Sequence, residues 1–423
     1  MNEEFLHYLW KFRLLNPQLL TTSGEPLVVL HPGNHNKESG PDFFNARLKI
    51  GTTTWAGNVE VHLCTSDWQR HRHHLDKAYQ NIILHVVYRN DRCSGCGPET
   101  AIPTLVIKDQ FPENILQRYQ QMMKDHQWIP CYNLLKETNL PEFDLWSTSL
   151  AVERLMAKSE NMKRLWNSCA NDWEEAFYRF LARNFGFRIN ALPFELLSKS
   201  LPLKVLKRHK GNRLQLEALL FGQAGMLEAG FRDAYPMQLY QEYRHLADKY
   251  RLRPLLPASW KYLRLRPSNF PTIRISQFAA TLADGPMDFF DSLVNASFVE
   301  LCELFSLKAS AYWDDHYLFD RASRSRPKIL GRSSVALLVI NAIAPFLFFY
   351  GLEKGESSLR EKALNLLESV PGEMNSDIQY WKQTGLPHHT ALQTQSLIQL
   401  KQCYCDSKLC LECRIGIKLL KSQ

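Results

Sequence analysis

The 423-residue sequence contains no low-complexity tract and no internal repeat, which sets aside fibrous and repeat architectures. It also lacks a long apolar run. The longest, Val335 to Tyr350, is about 16 residues and contains Asn341 and Pro345, short of the ~20 that a membrane span requires. A buried helix kinked at Pro345 is therefore expected, and no membrane partner. The opening segment MNEEFLHYLWKFRLL has no basic stretch followed by an apolar core; it starts acidic and is broken by charge. Export is not expected, and the cytoplasm is the expected compartment. Disordered, collagen-like and coiled-coil classes are excluded by a composition of 45% hydrophobic and 22% charged residues. The length suggests two to three domains with sizeable cores.

What is present is unevenly distributed. Residues 1–110 hold 11 basic and 11 acidic side chains, whereas residues 200–266 hold 13 basic and 5 acidic. That second segment alone equals the net charge of +8 of the whole chain. Histidine is skewed the other way, with 8 of 14 before residue 86.

Apolar positions Phe5, Leu6, Tyr8, Leu9, Phe12 and Leu15 form a helical stripe over 3–15. Short runs follow at 26–30, 44–50 and 53–63, and Gly51-Thr52 suits a tight turn, so 44–63 reads as a hairpin. Ser66 or Asp67 is a good N-cap for a mostly polar helix over 66–80. NIILHVVY at 81–88 reads as a buried strand and TAIPTLVIK at 100–108 as another. Beyond residue 111 the pattern is almost wholly helical.

The densest polar chemistry is His31-Pro-Gly-Asn34-His35-Asn36-Lys-Glu38-Ser-Gly-Pro41-Asp42, followed by Glu60-Val61-His62. Alternation along a strand places Glu60 and His62 on one face, and hairpin pairing brings Asp42 beside Glu60. Two adjacent carboxylates form an oxygen-rich site suited to Mg²⁺ or Mn²⁺. Such an ion polarises a phosphoryl oxygen and lowers the pKa of an attacking water. Asn34, His35 and Asn36 lie in a loop near Asp42 as candidates for touching substrate or metal. Glu3 or Glu4 could add an acid, and Tyr79 and Gln80 are core or substrate-side candidates. A second reading uses the histidines as a zinc site or a phosphate-touching face. On a continuous helix Asp67, His71 and His74 share a face, with His73 off it, and His62 and His85 are near. The plainest reading is that Asp42 caps a turn, Glu60 pairs with an arginine and His62 is a half-buried strand residue.

Pro41-Asp42 followed by Glu60-x-His62 resembles the PD-(D/E)xK nuclease superfamily. The resemblance implies a restriction-endonuclease-like αβββαβ core, with the aspartate and glutamate ligating metal and a lysine positioning water. His62 stands where that lysine would be; histidine orients water or acts as general base near neutral pH. Over the full chain, the segments GPDFFNARL, GNVEVH, SDWQRHRHH, RPSNFPTIR, LGRSSVALLVINAIAPFLFFYG and CYCDSKLCLECRIG resemble a bacterial family common in Bacteroidetes, domain-of-unknown-function family 2851. That resemblance implies one shared architecture and brings no activity with it.

In the basic middle, Lys204, Lys207, Arg208, Lys210 and Arg213 fall within ten positions, and Arg264 and Arg266 continue the series among Tyr250, Trp260, Tyr262 and Phe270. Cations neutralise phosphates and rings stack on bases, so DNA or RNA is the expected partner; a solvated basic face is the alternative. RPSNFPTIR, with two X-Pro steps, reads as an extended loop from which Arg266 and Arg274 could reach a phosphate. At the end of the sequence, Cys403, Cys405, Cys410 and Cys413 supply four thiols in eleven residues. Zinc suits such a set, with a 4Fe-4S cluster or reduced thiols as alternatives and His388 and His389 as substitute ligands. Cys93 and Cys96 form a lone pair between two strands.

Together these features predict a nuclease-like α/β domain over 1–110 and a helical region over 111–400, long enough for two subdomains. A Cys-rich metal-binding tail over 401–423 is expected to pack on that helical region. The expected activity is metal-dependent cleavage of nucleic-acid phosphodiesters. The alternatives are a non-catalytic nucleic-acid-binding or assembly protein and a zinc hydrolase using the histidines.

Overall fold

The computed structural model describes residues 1–91, 102–125, 127–136, 138, 143–285, 292–293 and 295–421. Cys93 and Cys96 lie outside the described residues. The chain divides into two units, Met1–Leu140 with Lys401–Gln423, and Pro141–Leu400. The first boundary falls thirty residues beyond the expected 110, because the helix α3 (Glu113–Lys124) belongs with the sheet domain. The cysteine tail joins that same unit, where its final helix packs on α3, and not the helical unit.

The first unit opens with α1 (Glu3–Lys11), whose start is fixed by Asn2 accepting the Phe5 N–H and whose inner face buries Phe5, Leu6, Tyr8, Leu9 and Trp10. Seven strands follow: β1 (Leu19–Leu20), β2 (Pro26–His31), β3 (Asn34–His35), β4 (Phe43–Ile50), β5 (Thr53–Cys64), β6 (Ile82–Arg89) and β7 (Thr104–Val106). They form one sheet in the order β1-β2-β4-β5-β6-β7, with β3 on the end of β4. Pairing is antiparallel from β1 to β5 and parallel from β5 to β7. A bridge between Thr21 and Leu105 brings the two ends together, so this mixed sheet is nearly a closed barrel.

The expected hairpin is β4–β5, turning at Gly51, whose φ of +60° suits glycine. Residues 46–50 alternate buried and exposed as a half-buried strand should. β5 is central, so Gly57 to His62 are buried on both faces. The pairing slips between Phe43 and Ala46, where Asn45 takes a φ of +58°. Such irregularities re-aim neighbouring side chains, and this one stands directly after Asp42.

The expected helix over 66–80 does not form as one piece. α2 spans only Asp67–Arg70, because Arg72 is left-handed at φ +61°; two 3₁₀ turns, His73–Leu75 and Lys77–Tyr79, complete the stretch. After β7 come α3 and α4 (Tyr132–Lys136).

The second unit is helical around a large apolar core, with a two-stranded hairpin at 316–318 and 321–322 as its exception. Residues 332–354 are long and apolar enough to cross a membrane by length and composition, but most of that surface is buried inside the unit. Before Pro345 the helix widens into a π-helical turn, Val339–Ile343, followed by the helix Ala344–Lys354.

RPSNFPTIR is not an extended loop. Pro267–Asn269 is a 3₁₀ turn, and Pro271 occupies the first turn of the helix Pro271–Asp284, where its missing N–H costs nothing. Arg274 is buried there, bonded to Gln277, Asn269 and Ser334 and stacked 4.4 Å from Phe187. It reaches no phosphate. Arg274→Met is expected to cost about 2–4 kcal/mol in denaturant unfolding, since those partners lose a buried donor. The same substitution should leave any salt-dependent polyanion binding unchanged.

Candidate metal centre

Glu60 and His62 lie on one face of β5 as alternation requires, and the parallel register sets Glu60 opposite His85 on β6. Both histidines and Glu60 are buried. His62 Nδ1 is 2.9 Å from His85 Nε2, which fixes the His62 ring and leaves its Nε2 free to point outward. Around that Nε2 stand His71 Nδ1 at 3.3 Å and Glu60 Oε1 at 3.5 Å. His73 Nε2 is 3.4 Å from the same Glu60 oxygen and makes no hydrogen bond, although it is buried. The ligand atoms of His62, His71 and His73 all lie within 4.8 Å of one another.

The break at Arg72 produces this convergence. On an unbroken helix His73 would face away; with Arg72 left-handed, His71 and His73 both turn toward β5. His74, predicted in place of His73, is exposed and outside the group. His73 is held between Tyr79, 3.9 Å away, and Trp68, 5.4 Å away. His71 is exposed, so the cluster has an open side.

Asp42 and Glu60 are side by side, as the hairpin predicted. The Asp42 N–H donates to Glu60 Oε2 (3.1 Å), and the Val61 N–H donates to Asp42 Oδ2 (2.9 Å). Glu60 thus bridges the histidines on one side and Asp42 on the other. The α1 residue that meets Asp42 is His7, whose Nε2 is 3.2 Å from Oδ2, while the expected acid Glu3 acts on Glu60 through its charge. No spacing in the sequence announces His7; it follows only from the docking of α1 on the sheet.

Burial dominates the electrostatics. It pushes the Glu60 carboxyl up to about 9, helped by Asp42 and opposed by the Asp42 N–H. It drives His62 down to about 2, with His85, His73 and His71 adding repulsion, so His62 is a neutral imidazole ready to ligate. His73 and His35 are lowered for the same reason, and burial and Glu60 push Tyr79 up to about 12.

Asp42 and His7 line a cleft of about 680 Å³ with His35, Asn36, Lys11 and Lys408. His35 stacks on Phe43 at 5.0 Å, Asn34 is exposed, and Asn36 is engaged within its own loop. The Asn36 amide donates to the carbonyls of Glu38, Ser39 and Pro41, a turn that delivers Asp42. Residues 3–376 match the family described as "Protein of unknown function (DUF2851)". The chain belongs to the DUF2851 family. No curated protein and no solved structure matches it.

The basic segment of this DUF2851 member is only partly free. Lys207 pairs with Glu174, and Arg213 binds the Lys308 carbonyl and approaches Glu217. Trp260 is a core residue bonded to the Ala224 carbonyl. Lys204, Arg208, Lys210 and Arg266 are exposed, Arg208 lying 5.9 Å from the Tyr250 ring.

Proposed function

We propose that the first unit is a metal-dependent hydrolase acting on phosphodiesters, its ion held by His62, His71 and His73 beside Glu60. The observation that carries this reading is the convergence of three imidazole nitrogens within 4.8 Å, one of them buried without a hydrogen-bond partner. Three imidazoles and one carboxyl group favour zinc or manganese over magnesium, which takes oxygen ligands. The open side at His71 leaves room for water, which such an ion makes nucleophilic near neutral pH. Glu60, within 3.5 Å of two of the nitrogens, is placed to become a further ligand once the ion displaces the proton that burial holds on it.

The adjoining cleft gives a phosphodiester room and Lys11 as a cation, although Glu4, Glu38, Asp42 and Glu412 also line it. The element order, a helix, five strands, a short helix and two strands, is longer than the αβββαβ core that the nuclease resemblance implies and adds no support of its own. A second reading has Mg²⁺ on Asp42 and Glu60 with His62 positioning water; the reciprocal hydrogen bonds that keep the two carboxylates adjacent favour it. The exposed cations of residues 204–266 would then grip the nucleic-acid backbone.

The full chain, stripped by chelator and reloaded with Zn²⁺, Mn²⁺ or Mg²⁺, should cleave DNA or RNA oligonucleotides or an activated phosphodiester. Zinc or manganese should support the faster reaction. Stoichiometric metal binding with no hydrolysis under any of the three ions would overturn the enzymatic reading. Salt-sensitive binding of nucleic acid without cleavage would point to the non-catalytic alternative.

A further inference from the structure

A second set of ligand-type side chains lies in the first unit, where the cysteine tail meets the segment before α4. Cys131 stands in WIPCYN, 274 positions before Cys405, and nothing in its sequence neighbourhood links it to the tail. Two contacts frame it there. Lys408 Nζ donates to the Met123 carbonyl at 2.9 Å, and the Lys401 ammonium lies 5.3 Å over the Trp128 ring. Cys131, Cys410 and Cys413 are buried and Cys405 is partly buried; Cys403, by contrast, is exposed. All five are free thiols.

We propose that Cys131, Cys405, Cys410 and Cys413 form a four-thiolate centre for a soft metal, a zinc ion or an iron–sulfur cluster. Cys131 replaces Cys403 as the fourth ligand. The backbone favours a sulfur anion: Ile415 and Gly416 lie in the first turn of the helix Arg414–Lys421, and their N–H groups oppose the rise that burial imposes on Cys413. Gly416 has to be glycine, because a Cβ there would lie 2.1 Å from the Cys410 carbonyl oxygen. Lys408 and Lys401 bring positive charge to Cys410 and Cys405.

Burial raises Cys131, Cys405 and Cys410 above an ordinary thiol, and each is raised further by other cysteines of the set. A bound cation reverses this balance, since a coordinating thiol is deprotonated outright. Among the described residues, no three of these sulfurs stand within 4.8 Å of one another. Zinc–sulfur bonds of about 2.3 Å set the sulfurs of a tetrahedron roughly 4 Å apart, so zinc would draw the thiols inward. A cluster, with iron and sulfide between its ligands, accepts the wider setting.

The test uses Co²⁺ on the metal-stripped full chain under argon, because only thiolate ligation gives intense sulfur-to-cobalt charge transfer. The histidine centre therefore stays silent in that band. Wild type and Cys403→Ser should show the band at full intensity, while Cys131→Ser should lose a quarter or more of it and release cobalt to chelator at least tenfold faster. Protein purified without oxygen should carry either zinc that is lost in Cys131→Ser but kept in His73→Ala, or the broad visible absorption of an iron–sulfur cluster, and either supports the centre. Should Cys131→Ser fail to fold, alkylation of wild type decides. Chelator should expose Cys131, Cys405, Cys410 and Cys413 together while Cys403 reacts throughout. No thiolate band in wild type, or loss of the band in Cys403→Ser but not in Cys131→Ser, would overturn the assignment.

Discussion

Alanine at His73 is expected to weaken metal binding in the first unit by well over 100-fold and to abolish turnover. Removing a group that only orients a ligand costs about 10–100-fold, so removing a ligand should cost more. His73 is the informative choice because its Nε2 makes no hydrogen bond, so truncation leaves little else unsatisfied. Far-UV dichroism should be unchanged while competition with a chromophoric chelator records the loss. His85→Ala, which only frees the His62 ring to turn, should fall in the 10–100-fold range. Asp42→Asn then separates the two readings: it removes a ligand if the ion sits on Asp42 and Glu60, but leaves a histidine-held ion in place. Affinity should also rise with pH between 6 and 9 if Glu60 ligates, because its buried carboxyl must ionise to do so. An His73→Ala protein that binds Zn²⁺ as tightly as wild type would sink the histidine centre.

The second large effect is expected from a single methyl group. At Gly57, in the middle of β5, a Cβ would lie 2.4 Å from Ile83 Cγ2 and 2.7 Å from the Asn81 carbonyl oxygen. The second of these is backbone immediately before β6, so the start of that strand must move. Gly57→Ala should cost about 2–3 kcal/mol or more, the upper range for overpacking, measured by denaturant unfolding. The same displacement separates His62 from His85, so metal affinity should fall with stability. Ile83→Ala removes one of the two clashes, and the double variant should lose less than the sum of the singles. Wild-type stability for Gly57→Ala would show that β5 and β6 do not approach as closely as described.

What was legible in the sequence was local. The alternation of FNARLKI, the turn at Gly51 and the apolar run NIILHVVY identified β4, β5 and β6, and with them the adjacency of Asp42 and Glu60. The histidine centre was half legible. His62, His71 and His85 were named, but periodicity on an assumed helix exchanged His74 for His73. A left-handed residue such as Arg72 carries no reliable mark, because arginine adopts that conformation only when its surroundings impose it. His7 and Cys131 were illegible for another reason: each meets its partners only through packing between segments distant in the sequence. Arg274 was misread because a cation among prolines looks solvent-seeking, whereas Pro271 starts a buried helix.

The first unit is interrupted, and that order has a consequence for synthesis. Some 260 residues of helical unit separate Leu140 from Lys401; at 5–20 residues per second the ribosome needs roughly 13–50 s to make them. The sheet can close before then, since both its ends, Thr21 and Leu105, emerge early. Part of the cleft wall beside Asp42, however, is made of Ser407 to Ile417. The histidines are thus present on a nascent chain long before the cleft beside them is finished, and a chain stalled anywhere in the helical unit would expose an incomplete site.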